Sequence, residues 1–168
     1  MNFLKAGIVY ADTLTTVSKN YLEEIQTESY GYGLDGVIRQ YVHKFRGIQN
    51  GIDTDVWNPA NDPLIDFNYE AATFSKKKEN KKNICKLLSL KDENRVLFTM
   101  ISRLVREKGV DFIRYTFPYL KELDANFVLI GEGDQSLANE FKELEKESDN
   151  FIFVSGYDEG LAHKLYAA

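Results

Sequence analysis

The residues most able to do chemistry fall in three short segments, each directly after an apolar run. Ser102 to Gly109 carries Arg103 and Lys108 just ahead of a segment with helical periodicity. A guanidinium grips phosphate oxygens as a fork and an ammonium as a point charge, and a helix amino end adds unpaired N–H groups, so this loop could hold an anion. A solvated basic loop has the same composition. Gly131-Glu-Gly-Asp134 follows the second run; glycines there either let backbone approach a ligand or make a strand-to-helix turn. Tyr157, after the third run, could stack on a flat ring or merely pack. His163 shares a helical stretch with Leu161 and Leu165, has no Ser or Cys neighbour suited to a triad, and is read as structural.

Known phosphate fingerprints are absent. The chain contains neither a GxGxxG nor a GxxxxGK[ST] pattern, so neither a dinucleotide site nor a P-loop follows from it. One Cys cannot build a thiolate metal cluster. The single Cys85 excludes an intrachain disulfide; with Ile84, Leu87 and Leu88 around it the thiol is expected to pack as a small hydrophobe.

The elements that must position these residues are legible as hydrophobic patterns. Val96 to Ile101, Phe127 to Ile130 and Phe151 to Val154 read as buried strands. Between them, Ile113, Phe117 and Leu120, then Leu137, Phe141 and Leu144, recur at helical spacing, with Pro118 expected to kink or end the first helix. Upstream, Thr13 to Val17 reads as a strand, Ser18 opens a helix bearing Tyr21, Leu22 and Ile25, a short helix covers Val37 to Gln40, and Phe45 to Gln49 reads as another strand. Turn formers accumulate between Ile52 and Phe74, which reads as a linker; Ser75 to Ser89 is again helical. Strands alternating with helices predict an α/β fold with a parallel sheet and right-handed crossovers, whose ligands sit at the carboxyl ends of the strands.

A net charge of −5 argues against nucleic acid as a partner, and the run Lys76 to Lys82, broken by Glu79 and Asn80, reads as the wet face of a helix. No stretch approaches the roughly 18 apolar residues of a membrane span, and Met1 to Ala11 is too short an apolar run for a signal peptide. A cytoplasmic location, or the stroma of a plastid if the source is a plant, is expected.

Several segments together resemble the bacterial glycogen synthases and plant starch synthases. They are Asn2-Phe-Leu-Lys-Ala-Gly-Ile-Val-Tyr-Ala-Asp12, Thr15-Thr-Val-Ser18, Gly33-Leu-Asp-Gly36, Gly47-Ile-Gln-Asn-Gly-Ile-Asp-Thr-Asp-Val-Trp-Asn-Pro59, Ser102-Arg-Leu through Lys108-Gly109, and Tyr157-Asp-Glu-Gly-Leu-Ala-His163 with Tyr166-Ala167. The resemblance covers nearly the whole chain, with 64–94 nondescript. It implies a partial GT-B architecture: residues 1–50 as the carboxyl-terminal part of a first Rossmann domain, 51–74 as an interdomain linker region, and 75–168 as the first half of a second, nucleotide-sugar-binding Rossmann domain.

The resemblance also implies an activity: transfer of glucose from ADP-glucose to an α-1,4-glucan, glycogen or starch, with retention of the α-configuration and without a metal. Arg103 and Lys108 match cations that hold the donor diphosphate and stabilise charge on departing ADP. Asn50 matches the Asn that reaches the transferred glucose, Tyr157 the aromatic beside adenine, and Gly131 belongs to the donor-binding set. The family's Lys-Thr-Gly-Gly-Leu and Glu-Pro-Cys-Gly-Leu segments are not in the sequence, so the chain is expected to be a fragment, inactive by itself and prone to self-association through uncovered edges. Two other readings share the Arg103 and Lys108 pattern: a retaining GT-B transferase using UDP-glucose or GDP-mannose, and a non-catalytic nucleotide-binding α/β module.

Overall fold

A computed structural model describes residues 2–168 and divides the chain into two compact units, one running to Asp53 and one from Thr54 to Ala168. Each is described by itself.

The first unit begins with helix α1 (Phe3–Tyr10), which the sequence patterns had not marked; Asn2 caps it by accepting from the Lys5 N–H. Lys44 Nζ closes its other end, donating to the carbonyls of Val9 and Ala11 at 2.9 Å each. Strands β1 (Leu14–Val17) and β2 (Phe45–Ile48) pair in parallel, with Leu14 opposite Phe45 and Val17 opposite Ile48. Short helices α2 (Lys19–Glu24), α3 (Glu28–Gly31) and α4 (Asp35–Gln40) form the crossover between them. Ile8, Ile25, Ile38 and Phe45 make the buried centre of this unit.

In the second unit, β3 (Val96–Ile101), β4 (Ala125–Gly131) and β5 (Phe151–Ser155) form a parallel sheet in chain order. Val96 to Ile101 pair with Ala125 to Ile130, and Phe127 to Gly131 with Phe151 to Ser155. Helices α6 (Val110–Leu120) and α7 (Gln135–Lys146) cover one face, where Phe117, Phe141, Phe151 and Leu129 are buried. Helices α5 (Lys77–Leu87) and α8 (Glu159–Ala167) cover the other, over Ile84, Cys85, Val128, Ile130 and Leu165. Cys85 is buried as expected, and that burial pushes its thiol pKa up, which keeps it unreactive.

Two boundaries differ from the sequence reading for local reasons. β4 starts two residues before the apolar run because buried Asn126 spends its amide on the Asp92 carbonyl, at 2.7 Å, and so tolerates the interior. α6 continues through Pro118 to Leu120. Proline there removes one N–H in the last turn, and the Lys121 N–H still closes that turn on the Phe117 carbonyl.

The stretch read as a linker is folded from Thr54 onward into the second unit. The Asn80 side chain bridges both backbone groups of Phe67, at 2.9 and 2.8 Å. The Asn68 amide donates to the carbonyls of Asp62 and Pro59. Trp57 stacks on His163 with ring centroids 3.8 Å apart, and His163 Nδ1 lies 2.6 Å from Asp62 Oδ2. A carboxylate only accepts, so the imidazole N–H donates. The segment is a strap across α5 and α8, held by side chains rather than by a ladder.

One strap contact carries a pH dependence. Asp66 accepts from Lys164 at 2.9 Å and from Asn83 at 3.2 Å, and the Lys164 hydrogen bond is the main reason its carboxyl titrates below the ordinary 3.8. A depressed carboxylate pKa stabilises the fold above the unfolded-state value and loses that contribution as pH falls through the folded-state value. Both side chains are about one-third exposed, so Asp66→Asn is expected to cost under ~1 kcal/mol at neutral pH. In urea titrations the difference from the parent chain should begin to shrink as pH falls to about 3.8 and vanish only below the lower folded-state value; a difference that persists in stronger acid would mean the pair contributes by packing instead.

Candidate functional site

The carboxyl ends of β3, β4 and β5 meet in one place. The Ser102 N–H donates to the Ile130 carbonyl at 3.0 Å, Leu104 N–H to Glu132 at 2.8 Å, Asp134 N–H to Leu104 at 3.1 Å, and Gly156 N–H to Gly131 at 2.9 Å. These bonds tie the three post-strand loops into a single backbone floor, and over it lies a hollow of about 230 Å³ lined by Ile101, Ser102, Arg103, Ile130, Gly131, Glu132 and Tyr157. Its place at the strand ends is where a parallel α/β sheet is expected to bind.

Gly131 makes the floor possible. A Cβ on it would sit 2.1 Å from the Ser102 carbonyl oxygen and 3.1 Å from Leu104 Cδ2, so two loops cross where only hydrogen fits. Gly133 makes a second crossing, at φ +149°, against the Leu104 backbone. Both glycines therefore serve loop-on-loop contact, with Gly131 also facing the hollow.

Arg103 is exposed, and among the described residues its guanidinium meets no carboxylate. It is free to take an anion. Tyr157 is 62% exposed and lines the hollow. The remaining cation stands elsewhere. Lys108 ends a 3-10 turn (Arg106–Lys108) that Gly109, at φ +71°, joins to α6, and it does not line the hollow. Asn50 lies in the first unit, two residues beyond β2. The geometry thus brings together Arg103, Gly131 and Tyr157 of the five candidates. Ser102 and Glu132 also line the hollow; only their adjacency to Arg103 and Gly131 marked them in the sequence.

His163 is fully buried, consistent with the structural role read for it. Among the described residues no group of three or more His, Cys, Asp or Glu side chains is placed to hold a metal ion. No helix among them is long and apolar enough to cross a membrane.

Comparison with known proteins bears on the family and the fold. A family model described as the starch synthase catalytic domain matches residues 1–40. The chain is 42% identical to a glycogen synthase of Finegoldia magna over 99% of its length, and 44% identical to one of Thermosipho africanus over 100%. It spans 36% and 35% of those relatives, about a third of each. Among solved structures it is similar to the catalytic domain of starch synthase IV from Arabidopsis thaliana bound to ADP and acarbose. That match has a TM-score of 0.90 and 38% identity, covering 98% of this chain and 35% of that one. The α/β chain carries part of a GT-B architecture, with parallel Rossmann-like sheets and flanking helices. With this similarity running along essentially all of it, the chain belongs to the glycogen synthase and starch synthase family.

Proposed function

We propose that the chain supplies the donor side of a glucosyltransferase that moves glucose from ADP-glucose to the non-reducing end of an α-1,4-glucan with retention of configuration. The observation that carries this reading is the hollow itself: an unpaired guanidinium, a side-chain-free glycine and an exposed aromatic at the ends of three parallel strands. The starch synthase of similar structure is bound to ADP and acarbose, which supports a nucleotide and a glucan as the ligands.

In this reading Arg103 takes the diphosphate. Negative charge accumulates on the bridging oxygen as the glucosyl bond to it breaks, and a fixed guanidinium stabilises that charge more in the transition state than in the ground state. Tyr157 stacks beside adenine and Gly131 gives the diphosphate backbone clearance. Lys108 is the second cation, on the same loop but outside the hollow, and Asn50 reaches the transferred glucose. Such chemistry is electrostatic and requires neither a metal nor an organic cofactor. We place it in the cytoplasm, or in the plastid stroma for a plant source, where a reduced, buried Cys85 is at home.

Calorimetric titration of the chain with ADP, UDP and GDP tests the proposal. ADP should bind most tightly. Arg103→Ala should weaken it about 30-fold, roughly 2 kcal/mol for a charge-assisted fork, and Arg103→Lys should recover only part of that. Lys108→Ala, removing a group outside the hollow, should weaken it about fivefold. Tighter binding of UDP or GDP, or indifference to Arg103→Ala, would refute the assignment.

A further inference from the structure

Glu132 lines the same hollow as Arg103 and takes no part in the function proposed above. Its place is fixed by backbone. Ile101 pairs with Ile130, and the parallel bridge between Leu104 and Gly133 continues the same offset, so Arg103 and Glu132 stand directly opposite each other on neighbouring loops. Opposed residues of a parallel pair project to one side, and both of these line the hollow. The Glu132 carbonyl accepts from the Leu104 N–H at 2.8 Å, and the two flanking glycines are the points where the loops cross. Opposite charges so placed ordinarily pair. Here, among the described residues, no ion pair joins Glu132 to Arg103 or to any other cation.

A bare carboxylate beside a cation that takes a diphosphate repels the phosphate oxygens at short range. A ligand that offsets this must bring donors, because a carboxylate only accepts. The order of the strands says which part of the ligand does so. β3, β4 and β5 lie side by side, with Arg103, Glu132 and Tyr157 just past their carboxyl ends, and the Gly156 N–H bond to Gly131 keeps the last loop beside the second. A cation, a carboxylate and an aromatic ring therefore succeed one another across the sheet, backbone to backbone at roughly one strand spacing, ~4.8 Å. A nucleoside diphosphate presents diphosphate, ribose and base in the same sequence. Of these the ribose carries two neighbouring hydroxyls, which can donate to the two oxygens of one carboxylate, and an acid takes the ribose hydroxyl in the dinucleotide-binding α/β folds.

We infer that Glu132 holds the ribose of the nucleotide, accepting from its 2′ and 3′ hydroxyls between the diphosphate on Arg103 and the base on Tyr157. That the ligand is a nucleotide rests on the donor reading above; the base does not matter, since the ribose is common to ADP, UDP and GDP.

Calorimetric titration of the whole chain with ADP and 2′,3′-dideoxy-ADP tests it. The parent chain should bind ADP about tenfold more tightly than the dideoxy form. In Glu132→Ala the two should bind alike, and Glu132→Gln, which keeps one acceptor oxygen, should retain part of the preference. Arg103→Ala should weaken both and keep their ratio. Glu132 is exposed, so its truncation leaves the core in place, and melting curves verify this. The inference is overturned by a parent chain that does not distinguish the two ligands, by a ratio that Glu132→Ala leaves unchanged, or by tighter binding of both in Glu132→Ala with the ratio kept, which would make Glu132 a repelling charge alone. ADP preferred to UDP and GDP and dependent on Arg103, with a ratio indifferent to Glu132, sinks this assignment and leaves the donor reading standing. UDP bound more tightly than ADP, with its own preference over a dideoxy form lost in Glu132→Ala, does the reverse. Absence of binding by any of the nucleotides overturns both.

Discussion

Gly131→Ala is expected to lower the stability of the second unit by about 3 kcal/mol or more and to abolish ADP binding. The added methyl would lie 2.1 Å from the Ser102 carbonyl oxygen, and that atom belongs to backbone already engaged. The Ser102 N–H is held by Ile130 and the Leu104 N–H by Glu132, so the loop bearing Ser102 cannot retreat without breaking β-type hydrogen bonds. Separating the loops widens the floor under Arg103, which removes the geometry that the proposed diphosphate contact needs. Gly160→Ala is the matched control: its Cβ would meet only Asp158 Oδ1, at 3.4 Å, in the first turn of α8, where alanine is a better helix former. Urea denaturation with ADP calorimetry separates the two. A Gly131→Ala chain as stable as its parent would mean the loops do not cross as described.

His163→Ala is expected to cost about 3 to 4 kcal/mol, from three losses at one position: the hydrogen bond to Asp62, the stack under Trp57, and the volume of a fully buried ring. Asp62 is itself 5% exposed, and its Oδ2 would be left buried without a donor while Oδ1 keeps the Leu64 N–H. The chain's one tryptophan, Trp57, reports the event directly. Its emission should shift to longer wavelength as the strap loosens, whereas His163→Phe, which keeps the stack and loses the hydrogen bond, should hold the emission near the parental value while still losing stability. Unchanged melting in both variants would show that the strap is held by its other contacts, Asn80 to Phe67 and Asp66 to Lys164.

Why the strap escaped sequence reading follows from the same contacts. Asp62 to His163 spans 101 positions and Asp66 to Lys164 spans 98, so nothing periodic within 54–74 could reveal what orders it. Its turn formers, Asn58, Pro59, Asn61 and Pro63, look alike whether a loop is tethered or not. The central strand of the second unit was legible for the opposite reason: buried on both faces, Val128, Leu129 and Ile130 show as an unbroken apolar run, and β3 and β5 carry similar runs although Val96 and Phe98 of β3 are exposed. α6 and α7 were legible from one-sided periodicity. α1 was not, because Phe3, Leu4 and Tyr10 are exposed and only Ile8 is buried, leaving a pattern too weak to distinguish from a loop.

For the site, strand ends predicted which loops would converge, and Arg103, Gly131 and Tyr157 do converge. The outlying position of Lys108 depends on the tight turn that ends at Gly109, a backbone detail that residue types alone do not specify.

The chain-order sheet has a consequence for biosynthesis. Val96 waits only until Ala125 for its neighbour, and Phe127 only until Phe151, so every pairing closes with the segment made immediately before it. Over these three strands a chain leaving the ribosome can add one strand and its covering helix at a time.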